Sequence, residues 1–249
     1  MKTRIGLAAI AALIGAPALA ADMAVKAPRP APAPVYGWTG FYVGALAGYG
    51  WSANRSSFSG FDAGDTPPSQ SPDGSGIVAG GEAGFDYQYG NVVGGLEADL
   101  SYTHMRGTAT GVSAFGVVQP VEQDIKSLGT IRARLGVLPV DRLLLFATGG
   151  AAFGALGLSS SFNPGVNCAT TSCGSGSVSG TNWGWTAGGG LEYAWSNLVS
   201  LKAEYLFADL GSRSLTYPIT LAVSQSTTTA RFRANIVRFG ANFKFGAVN

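Results

Sequence analysis

Charge is scarce in this chain. Lys, Arg, Asp and Glu make up 12% of 249 residues, against ~25% in ordinary soluble domains. Basic excess is also missing. There are 16 basic and 14 acidic residues, and Lys2 and Arg4 fall in a segment expected to be removed, which leaves the two signs equal. A neutral chain has no electrostatic grip on nucleic acid, so no such partner is expected. One His and two Cys leave little material for zinc or copper sites, and no cofactor is expected. After residue 37 no run of 18 apolar residues occurs, which excludes membrane-spanning helices. What is abundant is Gly, at 37 residues, with 46% hydrophobic and 11% aromatic residues. That mixture argues against disorder and against a typical cytosolic enzyme.

Residues 1–20, MKTRIGLAAIAALIGAPALA, have a basic start, a short apolar stretch and an Ala-Leu-Ala end. This predicts a secretory signal peptide; the apolar stretch is short for a membrane anchor. The mature chain is expected to begin at Ala21, in a compartment that permits disulfides. Residues 21–37, ADMAVKAPRPAPAPVYG, are rich in Pro and Ala and predict an extended periplasmic linker.

From residue 38 the hydrophobic period is two. Phe41, Val43, Ala45, Ala47, Tyr49 and Trp51 share one face, with Tyr42, Gly44, Leu46, Gly48 and Gly50 on the other. A strand of about eleven residues suits a tilted membrane crossing. Seven more strands are predicted, at about 76–87, 92–104, 124–138, 143–154, 182–193, 198–208 and 229–245. In the fourth, Ile125, Ile131, Ala133, Leu135 and Val137 oppose Lys126, Thr130, Arg132 and Arg134. In the last, Val237, Phe239, Ala241, Phe243 and Phe245 oppose Arg238, Asn242 and Lys244. The fifth is apolar on both faces, so its facing stays open.

Connections alternate in length. Short turns fall near 88–91, 139–142 and 194–197; long stretches rich in Ser, Thr and Gly cover 52–75, 105–123, 155–181 and 209–228. The fold class predicted is all-β: an eight-stranded antiparallel transmembrane barrel over 38–245, in a bacterial outer membrane, with short periplasmic turns, long extracellular loops and both termini periplasmic. Residues 246–249 form a C-terminal extension. An exported soluble sandwich competes. It would turn the charged faces to water, yet the opposite faces carry Trp, Tyr and Phe near the strand ends, as an apolar band in lipid does.

The polar faces would then point inward. They carry Glu82, Asp86, Glu97, Asp99, Glu192 and Glu204 against Lys126, Arg132, Arg134, Lys202, Arg238 and Lys244. A narrow interior must balance its signs, because an unpaired buried charge costs several kcal/mol. The balance fits either a gated ionic path or a salt-bridged core. Eight strands leave room for side chains and little else, which favours the core.

Segments 35–51 (VYGWTGFYVGALAGYGW), 128–136 (LGTIRARLG), 191–193 with 202–206, and 237–245 (VRFGANFKF) resemble, in that order, strands of the small porin-like outer-membrane proteins of alphaproteobacteria. The ADMAVKAP segment is similar too. The resemblance implies an eight-stranded barrel of the opacity-protein and surface-antigen type. It implies abundant envelope proteins, some described as porins and some as haemin binders, with no catalytic residues. It also implies a terminal aromatic signal for the barrel-assembly machinery, which Phe243 and Phe245 would supply; here Phe245 is followed by Gly246-Ala247-Val248-Asn249.

Four further candidates remain. Ser101 and His104 suggest a hydrolase pair, but a spacing of three puts them on opposite strand faces. His104 alone suggests an axial haem ligand, against a solvated residue at a strand end. Cys168 and Cys173 predict a small-loop disulfide rather than a metal site. Arg231 and Arg233 lie on the lipid-facing parity at the outer rim, where lipopolysaccharide phosphates are candidate contacts, unless a bulge turns them to water. The function expected is non-enzymatic: envelope structure and surface interaction with an unidentified extracellular ligand. A narrow porin is the alternative, and a haemin-binding surface protein the third reading.

Overall fold

The computed structural model of the chain describes residues 36–60, 66–114, 116–163, 166–221 and 224–245. The expected signal peptide, residues 21–35 of the expected linker and the extension 246–249 lie outside the described residues.

Nine strands follow in chain order: β1 (Gly40–Ser52), β2 (Arg55–Ser59), β3 (Ser75–Tyr89), β4 (Val92–Val112), β5 (Val118–Val140), β6 (Leu143–Phe162), β7 (Gly174–Ala194), β8 (Val199–Pro218) and β9 (Gln225–Phe245). From β3 to β9 each strand pairs antiparallel with the next, and β1 pairs with both β3 and β9, which closes the sheet on itself. β2 continues the line of β1 along β9, with Arg55 opposite Arg231. The ring therefore has eight members, and closure leaves no sheet edge in lipid. Tight connections at 90–91, 141–142 and 195–198 share one end with Gly40 and Phe245. Gly90 takes φ +59° there, a backbone angle that suits glycine.

Alternation decides what faces lipid. Phe41, Ile77, Leu96, Leu100, Tyr102, Ile131, Leu135, Trp183 and Phe239 are all exposed on the outer wall. The structure fixes the facing of the fifth predicted strand. In β6, Leu144, Ala152, Leu156 and Leu158 point inward, and Leu145 points outward.

The strands run further than the hydrophobic pattern suggested. Much of 105–123, 155–181 and 209–228 is ladder, and the connections shrink to 60–74, 113–117, 163–173 and 219–224. The cause is an inversion of the alternation. Beyond the apolar band the outer face turns polar, while the inner face becomes apolar, with Met105, Val121, Ile125, Leu156, Leu158, Leu210, Phe232 and Ile236 buried.

The interior thus has three layers. The end that carries the tight turns holds Tyr36, Trp38, Val93, Leu138, Leu144, Phe146 and Ala194. Tyr36, placed by sequence in the linker, is part of this closing layer. Trp38 is pinned by its backbone N–H to Gln88 Oε1 (2.8 Å) and its indole N–H to the Asp141 carbonyl (3.0 Å). Charged side chains form the middle layer, and the larger apolar cluster lies above them.

Candidate functional site

The middle layer is an ion network built from six strands. Arg132, on β5, pairs with Glu97 of β4, with Asp99 at 3.1 Å and with Glu204 of β8 at 2.7 Å. Arg238, on β9, binds Asp99 at 2.9 Å and Glu204 at 2.6 Å. Arg134 reaches Glu192 of β7 at 2.6 Å, Asp86 of β3 at 3.5 Å and Glu97 at 3.6 Å. Lys202 bridges Glu82 and Glu97. The side chains of Arg132, Lys202, Asp99 and Glu204 are 0% exposed. Removing such ions from water costs several kcal/mol each, and multiple charge-assisted hydrogen bonds offset that cost.

Neutral partners complete the network. The Tyr42 hydroxyl donates to Glu97 at 2.7 Å and accepts from Arg134 at 3.1 Å. It fits because residue 84 is Gly: a Cβ there would lie 2.4 Å from the Tyr42 oxygen. Thr130 donates to Asp99, and Ser200 and Asn242 donate to Glu192. The gap between the network and the mouth layer has a volume of about 10 Å³, room for about one water at most. Burial, then the Glu192 and Asp86 carboxylates, raise the Tyr36 phenol above its usual range, so it stays neutral at the mouth.

Two of the twelve charges read as interior sit elsewhere. Lys126 is exposed on the outer wall, not in the lumen. A bulge in β5, between Ile125 and Ser127 of the β6 pairing, reverses the parity there. Ile125, read as outward, is buried in its place. Lys244 does point inward, but to the mouth: it donates to the Gly37 carbonyl and lies 4.8 Å from the Tyr36 ring centre. Six carboxylates therefore meet four cations directly. Glu82 Oε1 and Asp86 Oδ1 have no hydrogen-bond partner among the described residues.

The other candidates are scattered. Ser101 is buried inside the wall, while His104 faces out, so the two cannot share a proton. Cys168 and Cys173 are joined by a disulfide, with Cα atoms 5.5 Å apart, in the connection after β6. Phe243 and Phe245 face outward with ring centres 5.0 Å apart, and Phe245 lies opposite Phe41. Arg231 and Arg233 stay on the outer face, and both bind Asp209 of β8, at 2.7 and 3.1 Å. The bulge in this region is in β8, between Asp209 and Ser212. Sequence reasoning missed Tyr42, whose inward parity was readable, and Arg55 and Asp209, which fell in stretches read as loop.

Comparison with known proteins places this geometry. The sequence model of the family described as outer membrane protein beta-barrel domain matches residues 7–245. Over 246 residues the chain is 37% identical to the 31 kDa outer-membrane immunogenic protein of Brucella melitensis, covering 96% of this chain and 98% of that protein. It is 27% identical over 253 residues to the 25 kDa outer-membrane immunogenic protein of Brucella abortus, covering 98% and 100%. Among solved structures, the outer membrane protein OprG of Pseudomonas aeruginosa is similar with a TM-score of 0.51 at 11% identity, covering 85% of this chain and 100% of that one. At that identity the likeness concerns the fold alone.

Proposed function

The chain belongs to the outer membrane protein β-barrel domain family, and on that premise we propose that it is a closed, non-conducting barrel that holds four extracellular connections at the bacterial surface. The observation that carries this reading is the Arg132–Glu97–Asp99–Glu204 cluster, buried across the lumen between two apolar layers. Such an interior supports envelope structure and surface contact rather than transport. The tight-turn end, which also bears Gly40 and Phe245, is the periplasmic one in this reading. No catalysis and no cofactor are part of it. Relatives named as outer-membrane immunogenic proteins support a surface-antigen character.

Planar-bilayer recording of the refolded protein tests the proposal. A closed barrel gives little or no conductance, and Arg132→Ala raises it by opening space. A narrow porin conducts from the start, and the same change shifts mainly its ion selectivity. Steady single-channel openings from the intact protein would overturn the closed-barrel reading.

A further inference from the structure

A cleft of about 520 Å³ opens on the outer wall where β2, β9 and the top of β8 meet, lined by Asn54, Arg55, Asp73, Ser212, Arg231 and Arg233 among others. We propose that it binds a phosphate group of an outer-leaflet lipid headgroup. The proposal goes beyond the closed-barrel reading and does not depend on whether the lumen conducts.

Charge arrangement is the first argument. Arg55 lies directly opposite Arg231 across the β2–β9 pair. Like charges in that position repel, so the pair alone destabilises the sheet. Arg231 and Arg233 converge on one oxygen, Asp209 Oδ2, at 2.7 and 3.1 Å. Asp209 is held by the β8 bulge, where Gly211 at φ +76° donates its backbone N–H to Asp209 Oδ1 at 3.0 Å. Arg55 makes no ion pair with any described residue. The Asp73 carboxylate accepts the Asn54 N–H at 3.2 Å. Among the described residues three guanidiniums thus face two carboxylates, and a positive charge is left over. The Arg231 and Arg233 side chains are still 52% and 40% exposed, so N–H donors remain free. Planar guanidinium forks match phosphate oxygens in pairs.

Position is the second argument, and it selects a lipid over a dissolved anion. The outward residues toward the tight-turn end are Trp51 and Tyr49 on β1, Val237 and Phe239 on β9, and Tyr205 on β8, all exposed. Aromatic belts of this kind mark the level at which hydrocarbon gives way to headgroups. A headgroup phosphate in the cleft leaves its acyl chains lying along that apolar wall. Free phosphate has only the charge contact.

The test uses refolded full-length protein in detergent micelles and three probes: phosphorylated lipid A, the same lipid dephosphorylated, and inorganic phosphate. Native mass spectrometry reads the bound fraction. The phosphorylated lipid is expected to bind about tenfold or more tighter than the dephosphorylated one, the ratio for one charge-assisted contact. Arg55→Gln with Arg231→Gln should abolish that preference. Asp209→Asn, which removes the competing carboxylate charge and keeps an acceptor for Gly211, should strengthen it. Heat-dependent gel mobility checks that each variant is folded. Equal binding of the two lipids, an unchanged preference in the double variant, or competition by inorganic phosphate at concentrations similar to the lipid's would overturn the proposal.

Discussion

Arg132 shows how one residue holds the lumen. Its guanidinium meets three carboxylates contributed by β4 and β8, so its loss strands buried negative charge from two walls at once. Arg132→Ala is expected to cost about 3–5 kcal/mol, as broken buried pairs do. Lys126→Ala should change stability by no more than about 0.5 kcal/mol, because that side chain is exposed and unpaired among the described residues. Urea unfolding of both variants in detergent micelles measures the contrast; equal losses would place Lys126 inside after all. The two residues also mark how far the sequence could be read. Arg132, Arg134, Lys202, Glu204 and Arg238 sit on a regular alternation, and parity alone turns them inward. Lys126 is six residues from Arg132 on the same parity, yet a bulge separates them. Bulges come from the pairing of neighbouring strands, which a linear pattern does not contain. Parity also counts charges without pairing them: equal numbers of each sign concealed a network of six acids and four bases.

At the scale of the element, hydrophobic alternation finds a strand only while its two faces differ in a constant sense. Along β9 the outer face is apolar from Phe245 to Val237, then polar at Asn235, Arg233, Arg231 and Thr229, while Phe232, Ala234 and Ile236 are buried inside. The inversion made the upper parts of β4 to β8 read as Ser- and Gly-rich loops. Two predictions belong here. Phe245 ends the β9 ladder opposite Phe41, and we propose that it and Phe243 are read by the barrel-assembly machinery. Phe245→Ser should then sharply lower the amount of protein in the outer membrane, while deletion of 246–249 should not; immunoblots of membrane fractions compare the two, and normal levels of the Phe245 variant would refute the assignment. The disulfide lies beyond the last β6–β7 rung, Phe162 with Gly174. Cys168→Ser with Cys173→Ser should leave heat-dependent gel mobility unchanged, since the constraint acts on a connection and not on the ladder. A variant that no longer resists unfolding in that assay would show that the loop helps to close the ring.

Across the whole molecule, the outward apolar segments of three strands agree in length. They run from Phe41 to Trp51 on β1, Val92 to Tyr102 on β4 and Trp183 to Tyr193 on β7, each ten residue steps with exposed aromatic or aliphatic ends. At ~3.3 Å per step and a tilt of ~40°, ten steps give a band about 25 Å tall, the height of an outer-membrane apolar belt. The hydrophobic pattern alone carries this agreement, because lipid sets the thickness that these three strands cross. The apolar plug above the band was not legible there, since its residues come from stretches in which each strand changes sense. The five Trp residues give a test of the entire arrangement. Trp51, Trp183, Trp185 and Trp195 are exposed on the outer wall or its edge, whereas Trp38 is buried in the mouth layer beside Tyr36, with ring centres 5.0 Å apart. Single-Trp variants, with the other four replaced by Phe, are reconstituted in vesicles of lipids brominated on the acyl chain. Trp185, on the apolar wall beside Phe207, should be strongly quenched. Trp38 should be untouched both by brominated lipid and by a water-borne quencher present on both sides of the bilayer, because neither reaches a closed mouth. Quenching of Trp38 by the aqueous reagent alone would mean that water enters the lumen from the end that this packing closes, and quenching by lipid would mean that its ring lies outside the wall.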